Sequence, residues 1–260
     1  MQKLIDTHAH LEEFKELKSI LDTAKAAGLV AIIAVGSNTT SNKKVLDIAD
    51  FYPGFVFPAL GLDPWNINTA TLDQDLEYID THATRAIAIG EIGLDYQKKV
   101  LTRNNKDIQK QVLADLLDLA VKHNKTALLH SRYAWKDCIT TADMAGLENA
   151  VFHWYTGPSS VLREILVHGY YISATPAIEY NNEHRQAIRE TPLDRILLET
   201  DSPVTYAYGR AGEYQAQPAD TRRSLEGTAK IKEVSAAELA DITTANAVQL
   251  FGLPVLPAKE

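Results

Sequence analysis

Two histidines one residue apart, His8 and His10 in the opening stretch IDTHAHL, have the spacing of a metal site. In an extended segment alternate side chains point the same way, so both imidazoles can face one ion, with Asp6 continuing the row. Further along stand Glu91 in GEIGLDY, His130 in LLHSR, His153 in VFHWYTG and Asp201 in LLETDSP. Imidazoles and carboxylates together suit divalent Zn²⁺, Mg²⁺ or Mn²⁺, and the lack of thiolates argues against a structural zinc or an iron-sulfur cluster. These six side chains exceed the three protein ligands of a catalytic zinc, so two ions are implied. A pair of divalent ions can share a bridging hydroxide and stabilise charge on attacking and leaving oxygens. Glu91, with two oxygens and a middle place in the set, is the natural bridge.

Such a set works only if its segments end at one place. Short apolar segments ending in Gly, Pro, Asp or Ser alternate with amphipathic stretches, which is the α/β signature. The expected strands are Lys3 to Thr7, Val30 to Gly36, Val56 to Gly61, Ala86 to Gly90, Ala127 to His130, Ala150 to His153, Tyr170 to Ala174 and Arg195 to Thr200. VAIIAVG, AIAIG and RILLETD are near-continuous apolar runs, as in parallel strands covered on both faces. The expected helices are Glu12 to Ala27, Ser41 to Asp50, Leu72 to Thr81, Asp107 to Lys122, Ala134 to Met144, Ser159 to Val167, Asn182 to Arg189 and Thr221 to Phe251. The last is read as two helices, because Ser235 followed by Glu238 makes a capping box. Eight strand-helix units in 260 residues without a linker predict a (β/α)8 TIM barrel forming one domain over 1–260. The doubly wound alternative needs a Gly-rich turn or a topological switch, and no G-x-G-x-x-G occurs. A barrel gathers the C-terminal strand ends around one mouth, so the metal site is expected there. The other four histidines, His82, His123, His168 and His184, fall in helices or connections and read as solvated surface.

Composition narrows the class. Apolar residues are 45% and charged residues 23%, so the chain folds around a core. The 26 Lys and Arg against 34 Asp and Glu give a net charge of -8, so any phosphate contact must be local. Cys138 is the one cysteine; a lone thiol without ligand company fits a semi-buried side chain in a reducing compartment. With no signal peptide visible behind MQKLIDTHAH, and no apolar run near the ~20 residues that cross a bilayer, a cytoplasmic protein with no membrane contact is expected. No protein partner is inferred.

The motifs IDTHAHL, GEIGLDY, LLHSRYA, VFHWYTG and ETDSP, in this order and from Leu4 to the C-terminal NAVQLFG, resemble the motif series of the TatD family of metal-dependent hydrolases within the amidohydrolase-like superfamily. The resemblance implies that His8 and His10 bind one ion with Glu91 and Asp201, while Glu91, His130 and His153 bind the second. It implies a deoxyribonuclease, some relatives being 3'-to-5' exonucleases, with DNA, single-stranded or with frayed ends, as substrate. It makes Asp201 the group that orients or deprotonates the attacking water. Glu199, two residues earlier, could bind an extra metal or polarise water, or form a salt bridge inside the barrel. One departure stands out: where the family carries His in a G-x-H-P segment, this chain has Gly61-Leu62-Asp63-Pro64. Asp63 could accept a hydrogen bond or bind a metal but is no neutral donor at pH 7. The segment TYAYGRAGEYQAQPADTRR also keeps only loosely to the family pattern.

Substrate contacts are expected from Arg132, whose guanidinium could grip a phosphate or pair with a carboxylate on the next loop. Trp65, Tyr96, Trp154 and Tyr155 could stack bases or pack under loops, and Arg210, Arg222 and Arg223 could form a positive rim or a solvated helix face. The alternative activity is hydrolysis of an amide, ester or lactone by the same binuclear site, because the metal set does not tell carbonyl from phosphorus. A third reading is a metal-binding scaffold without turnover, against which the complete ligand set argues.

Overall fold

The computed structural model describes residues 2–254. Eight parallel strands run in the order β1 (Leu4–Ala9), β2 (Leu29–Val35), β3 (Val56–Leu62), β4 (Ala88–Asp95), β5 (Thr126–Arg132), β6 (Ala150–Phe152), β7 (Tyr171–Ala174) and β8 (Ile196–Leu198), each paired with the next. Between β8 and β1 the barrel is closed by bonds around the mouth: Thr7 Oγ1 to Leu198 O at 3.0 Å, Asp201 N to His8 O at 2.9 Å and His10 N to Ser202 O at 2.8 Å.

Alternation along the strands divides the apolar residues between two cores. Ile5, Ile33, Ala59, Ala88, Leu128, Val151, Tyr171 and Leu197, one from each strand, pack inside the barrel, with Phe251 and Leu253 against them. The opposite faces pack under the helices. These are α1 (Leu17–Ala26), α2 (Thr39–Phe51), α3 (Leu72–His82), α4 (Lys98–Leu101), α5 (Lys106–Lys122), α6 (Trp135–Met144), α7 (Ser159–Val167), α8 (Asn182–Glu190), α9 (Thr221–Lys232) and α10 (Ala236–Phe251). In α5, Val112, Leu113, Leu116, Leu117 and Ala120 form the buried stripe that its spacing predicts. Truncating one of these leucines to Ala should cost about 2–5 kcal/mol. Ser235 caps α10 by accepting from Glu238 N at 3.1 Å, which separates α9 from α10. Among the described residues no helix is long and apolar enough to cross a membrane.

The elements depart from expectation near the mouth. The helix expected from Glu12 begins only at Leu17, because Leu11–Glu13 forms a 3₁₀ turn and Phe14 is extended. Strand β4 does not end at Gly90 but continues to Asp95, so Glu91 lies inside the strand. The ladder slips at this point, between Leu60 and Leu62 on β3 and between Ile89 and Ile92 on β4. Glycine permits it: a Cβ on Gly61 would lie 2.3 Å from Glu91 O, and one on Gly93, at φ +148°, would lie 2.0 Å from His130 O. After β8 a short hairpin, β9 (Thr205–Tyr206) with β10 (Tyr214–Gln215), was not foreseen; two residues per strand give no readable alternation.

Candidate metal centre

The mouth gathers the six expected donors from five strand ends. His8 Nε2 lies 3.4 Å from Glu91 Oε2 and 3.6 Å from Asp201 Oδ1, and His10 Nε2 lies 3.3 and 3.5 Å from the same two oxygens. On the other side, Glu91 Oε1 is 2.8 Å from His130 Nδ1 and 3.0 Å from His153 Nε2. The two oxygens of Glu91 are thus divided between two imidazole pairs. Asp201 reaches its place through a left-handed backbone, φ +49°, at the turn after β8. An aspartate tolerates that region better than most residues, and strained positions cluster at functional sites. Asp6 braces this turn from beneath: its carboxylate accepts from Thr200 N at 3.0 Å, Thr200 Oγ1 at 2.6 Å and His8 N at 3.2 Å. Asp6 is therefore committed to the backbone and does not continue the row of ligands.

The donor set fits cations. His8 Nδ1 and Nε2 and His10 Nδ1 are buried without a hydrogen-bond partner, a costly state for a polar nitrogen. Four ligands at 2.0–2.1 Å around one tetrahedral ion lie about 3.4 Å apart, which matches the spacing of the His8, His10, Glu91 and Asp201 atoms. Donor atoms of His8, His10 and Glu91, those of Glu91, His130 and His153, and those of His8, His153 and Asp201, which span the two sides, fall into groups within 4.8 Å. Burial opposes charge on Glu91, but the imidazoles of His153, His10 and His130 outweigh it and hold the carboxyl well below its ordinary range. Asp201 is likewise held down, against burial, by His10, His8 and His153. Burial opposes protonation of His10 and His153 too, yet their carboxylate neighbours raise both.

Around this set lies an open cleft of about 570 Å³ lined by His10, Asp63, Trp65, Glu91, Arg132, Trp154 and Asp201, among others. Asp63 sits in it with Oδ1 accepting from Asn66 N and Nδ2, both at 2.8 Å. Burial and the charge of Glu91 push its carboxyl up to about 7, so the expectation that Asp63 is no neutral donor at pH 7 does not hold. Glu199 is fully buried, with Oε1 3.4 Å from His153 Nδ1 and Oε2 accepting from Ser173 Oγ at 2.7 Å. That is the salt bridge inside the barrel. Arg132 lines the cleft but pairs with a carboxylate, Asp95, through Nε at 3.0 Å and Nη2 at 2.5 Å. Asp95 is the neighbour of the cluster that the sequence does not reveal: GEIGLDY points to its glutamate, and only the extension of β4 brings its aspartate to the mouth.

Other expectations separate by position. Trp65 and Trp154 line the cleft, whereas Tyr155 is buried with its hydroxyl on Pro158 O and Tyr96 bonds Asp137. Arg222 bonds Ala27 O, and Arg223 pairs with Glu179, so neither faces the cleft as a free cation; Arg210 lies over the Tyr180 ring. His82 and His123 are partly buried at the surface and His168 is exposed, as expected, but His184 is fully buried. Its Nδ1 donates to Tyr155 O at 2.9 Å and its Nε2 accepts from Thr175 N at 3.1 Å. Helix periodicity places a side chain on a face without saying what covers that face, which is why His184 read as surface. Cys138 is buried rather than semi-buried, and burial pushes its thiol far up, which removes it as a nucleophile.

A profile of the family described as TatD related DNase matches residues 5–252. The chain belongs to the TatD family of metal-dependent hydrolases. Among its relatives in that family, it is 33% identical over 261 residues to the human protein named deoxyribonuclease TATDN3, covering 95% of this chain and 94% of the relative. It is 32% identical to the Bacillus subtilis protein named uncharacterized metal-dependent hydrolase YabD, covering 95% and 98%. The crystal structure of YJJV, a TatD homologue from Escherichia coli K12, superposes with a TM-score of 0.85 at 26% identity, covering 96% and 98%. TatD membership and the eight-stranded barrel agree with the expectations drawn from the motifs.

Proposed function

We propose that this TatD hydrolase cleaves phosphodiester bonds in DNA, acting on single-stranded or frayed ends in the manner of a 3'-to-5' exonuclease. The observation that carries the two-ion hydrolase is the division of Glu91, one oxygen facing His8 and His10 and the other facing His130 and His153; the choice of DNA over a carbonyl substrate rests on the family and its named relatives. His8, His10, Glu91 and Asp201 would hold one divalent ion, and Glu91, His130 and His153 a second; the donor set admits Zn²⁺, Mg²⁺ or Mn²⁺. When bound, the ions supply charge neutralisation for attacking and leaving oxygens and an acidified water. Asp201, placed by its left-handed turn, orients the attacking water and takes its proton. Arg132 offers the phosphate the N–H groups that Asp95 does not use, and Trp65 and Trp154 offer rings to a base. Glu199 positions His153 rather than binding an ion of its own. The named activity of the human relative, deoxyribonuclease, points the same way. Met1 and residues 255–260 lie outside the described residues; we read 1–260 as one domain and place it in the cytoplasm, a reducing compartment that suits the lone thiol.

A second reading, hydrolysis of an amide, ester or lactone, draws on one observation: Arg132 is the only Lys or Arg lining the cleft among the described residues, and Asp63 adds a carboxyl. Digestion of an end-labelled single-stranded oligonucleotide with Mg²⁺ or Mn²⁺, beside a chelated control, separates the two. A metal-dependent ladder from one end is expected, and Asp201→Asn should lower the rate by about 10²–10⁴ with the fold kept. If protein carrying its metals leaves DNA intact under every ion, the phosphodiester reading is wrong and carbonyl substrates take its place. If Asp201→Asn turns over normally, the proton acceptor is another group.

A further inference from the structure

Asp95 stands between two parts of the site that the reading above treats separately. Its side chain is fully buried, and its Oδ2 accepts from Arg132 Nε at 3.0 Å, Arg132 Nη2 at 2.5 Å and Trp65 Nε1 at 2.9 Å, and lies 3.3 Å from His130 Nε2. Its Oδ1 accepts from Gln97 N at 2.8 Å. The backbone is clamped as well: Asp95 N donates to Gln109 Oε1 at 2.8 Å and Asp95 O accepts from Gln109 Nε2 at 3.0 Å. A buried carboxylate is tolerable only when so surrounded by donors.

We propose that Asp95 is a positioning residue that couples the metal-facing nitrogen of His130 to the phosphate contact of Arg132. This rests on the assignment of His130 as a ligand and Arg132 as the phosphate group. Both ring nitrogens of His130 face carboxylates, Nε2 that of Asp95 at 3.3 Å and Nδ1 that of Glu91 at 2.8 Å, with His153 Nε2 3.3 Å from Nδ1. An imidazole that serves as a ligand gives up one of its two protons, and Asp95, which lies away from the cluster of donors, keeps the one on Nε2 and leaves Nδ1 for the ion. The same oxygen takes two of the five N–H groups of Arg132, leaving three for a substrate oxygen, and the guanidinium lies 5.6 Å over the Trp65 ring, which fixes its plane. Charge supplies the second half of the argument. Unpaired, the guanidinium would stand beside two divalent cations and repel them; paired with Asp95 it presents donors without adding net charge. One buried side chain thereby sets an imidazole tautomer, an arginine plane and the local charge.

The decisive measurement needs no variant. In the zinc-loaded wild-type protein, imidazole ¹⁵N NMR should place the His130 proton on Nε2; a proton on Nδ1 overturns the proposal. Asp95→Asn, which keeps the shape but can either donate or accept, should weaken binding of one of the two ions by about 10–100-fold in chelator competition and leave the other in place. It should also raise the KM for a single-stranded oligonucleotide beyond any change in kcat. A folded Asp95→Asn protein that binds both ions as tightly as wild type overturns the coupling. Arg132→Gln should raise KM with metal binding unchanged, so a metal defect in Asp95→Asn cannot be traced to the lost arginine pair alone. Failure of the wild type to cut DNA would sink the substrate reading and leave the tautomer and metal readouts standing.

Discussion

The two halves of the mouth hold their imidazoles by different means. On the β4 to β6 side each ring has a buried carboxylate behind it, Asp95 at 3.3 Å from His130 Nε2 and Glu199 at 3.4 Å from His153 Nδ1. On the β1 side no carboxylate comes within hydrogen-bond distance of an Nδ1: Glu12 Oε1 lies 4.0 Å from His10 Nδ1, the Nδ1 atoms of both His8 and His10 are buried without a hydrogen-bond partner, and the His8 ring stacks on His153 at 4.1 Å and 9°. A carboxylate behind an imidazole fixes its tautomer and raises its basicity. Packing against a neighbouring ring fixes orientation alone. On the proposed ligand assignment, the His130 and His153 half is therefore expected to hold an ion with less help, whereas the His8 and His10 half would depend more on the shared anions Glu91 and Asp201.

Glu91 belongs to both halves, and removing it should erase the difference. Glu91→Ala is expected to lose both ions, measured as metal content after gel filtration, with activity falling below that of any other single variant. Retention of one full equivalent would mean that the halves are independent and that Glu91 does not join them. Glu199→Gln should be narrower, weakening one ion by about 10–100-fold and sparing the one held with Asp201. Equal loss of both ions would show that the buried carboxylates do not distinguish the halves.

Much of this is legible in the sequence because the candidate ligands sit in motifs where type and spacing both speak. His-x-His on a strand, and imidazoles closing apolar runs, need only period-two alternation and the parallel order of a barrel to converge. What stayed hidden depends on irregularity or on tertiary cover. Asp95 comes to the mouth because β4 runs past a slipped register that glycine allows, and no periodicity announces a slip. Arg132 was open between phosphate and carboxylate because its partner was this hidden residue. Arg222 reads as a rim cation until the fold turns it to Ala27 O, and the β9–β10 hairpin is too short to alternate.

Acid should sharpen the contrast between the protein with and without ions. Burial disfavours charge on His10, His130 and His153, but the facing carboxylates outweigh it and raise all three. A raised imidazole stabilises the ion-free protein fully below about pH 6.5, its unfolded value, and that contribution is lost as the pH climbs through the raised folded value. Ion binding has the opposite sign, because each imidazole must give up its proton first. The gap in Tm between loaded and chelated protein should therefore widen from pH 6 to pH 8. A gap that stays constant would mean the imidazoles do not exchange protons for metal.

The smallest effect concerns a histidine that belongs to neither half. His184 is as buried as His8, yet both its nitrogens have backbone partners, Tyr155 O and Thr175 N, whereas both nitrogens of His8 have none. That difference separates a structural imidazole from a ligand without reference to any motif. His184→Leu should leave metal content unchanged and cost about 1–3 kcal/mol, the penalty for two buried backbone groups losing their partner. Burial lowers the pKa of His184, so the sign is the reverse of that for the ligand histidines. Its contribution is present above about pH 6.5 and is lost as the pH falls toward the lowered folded value. Wild type and variant should accordingly differ most in Tm at pH 7 and converge toward pH 5. Divergence at acid pH, or loss of metal in the variant, would place His184 with the ligands after all.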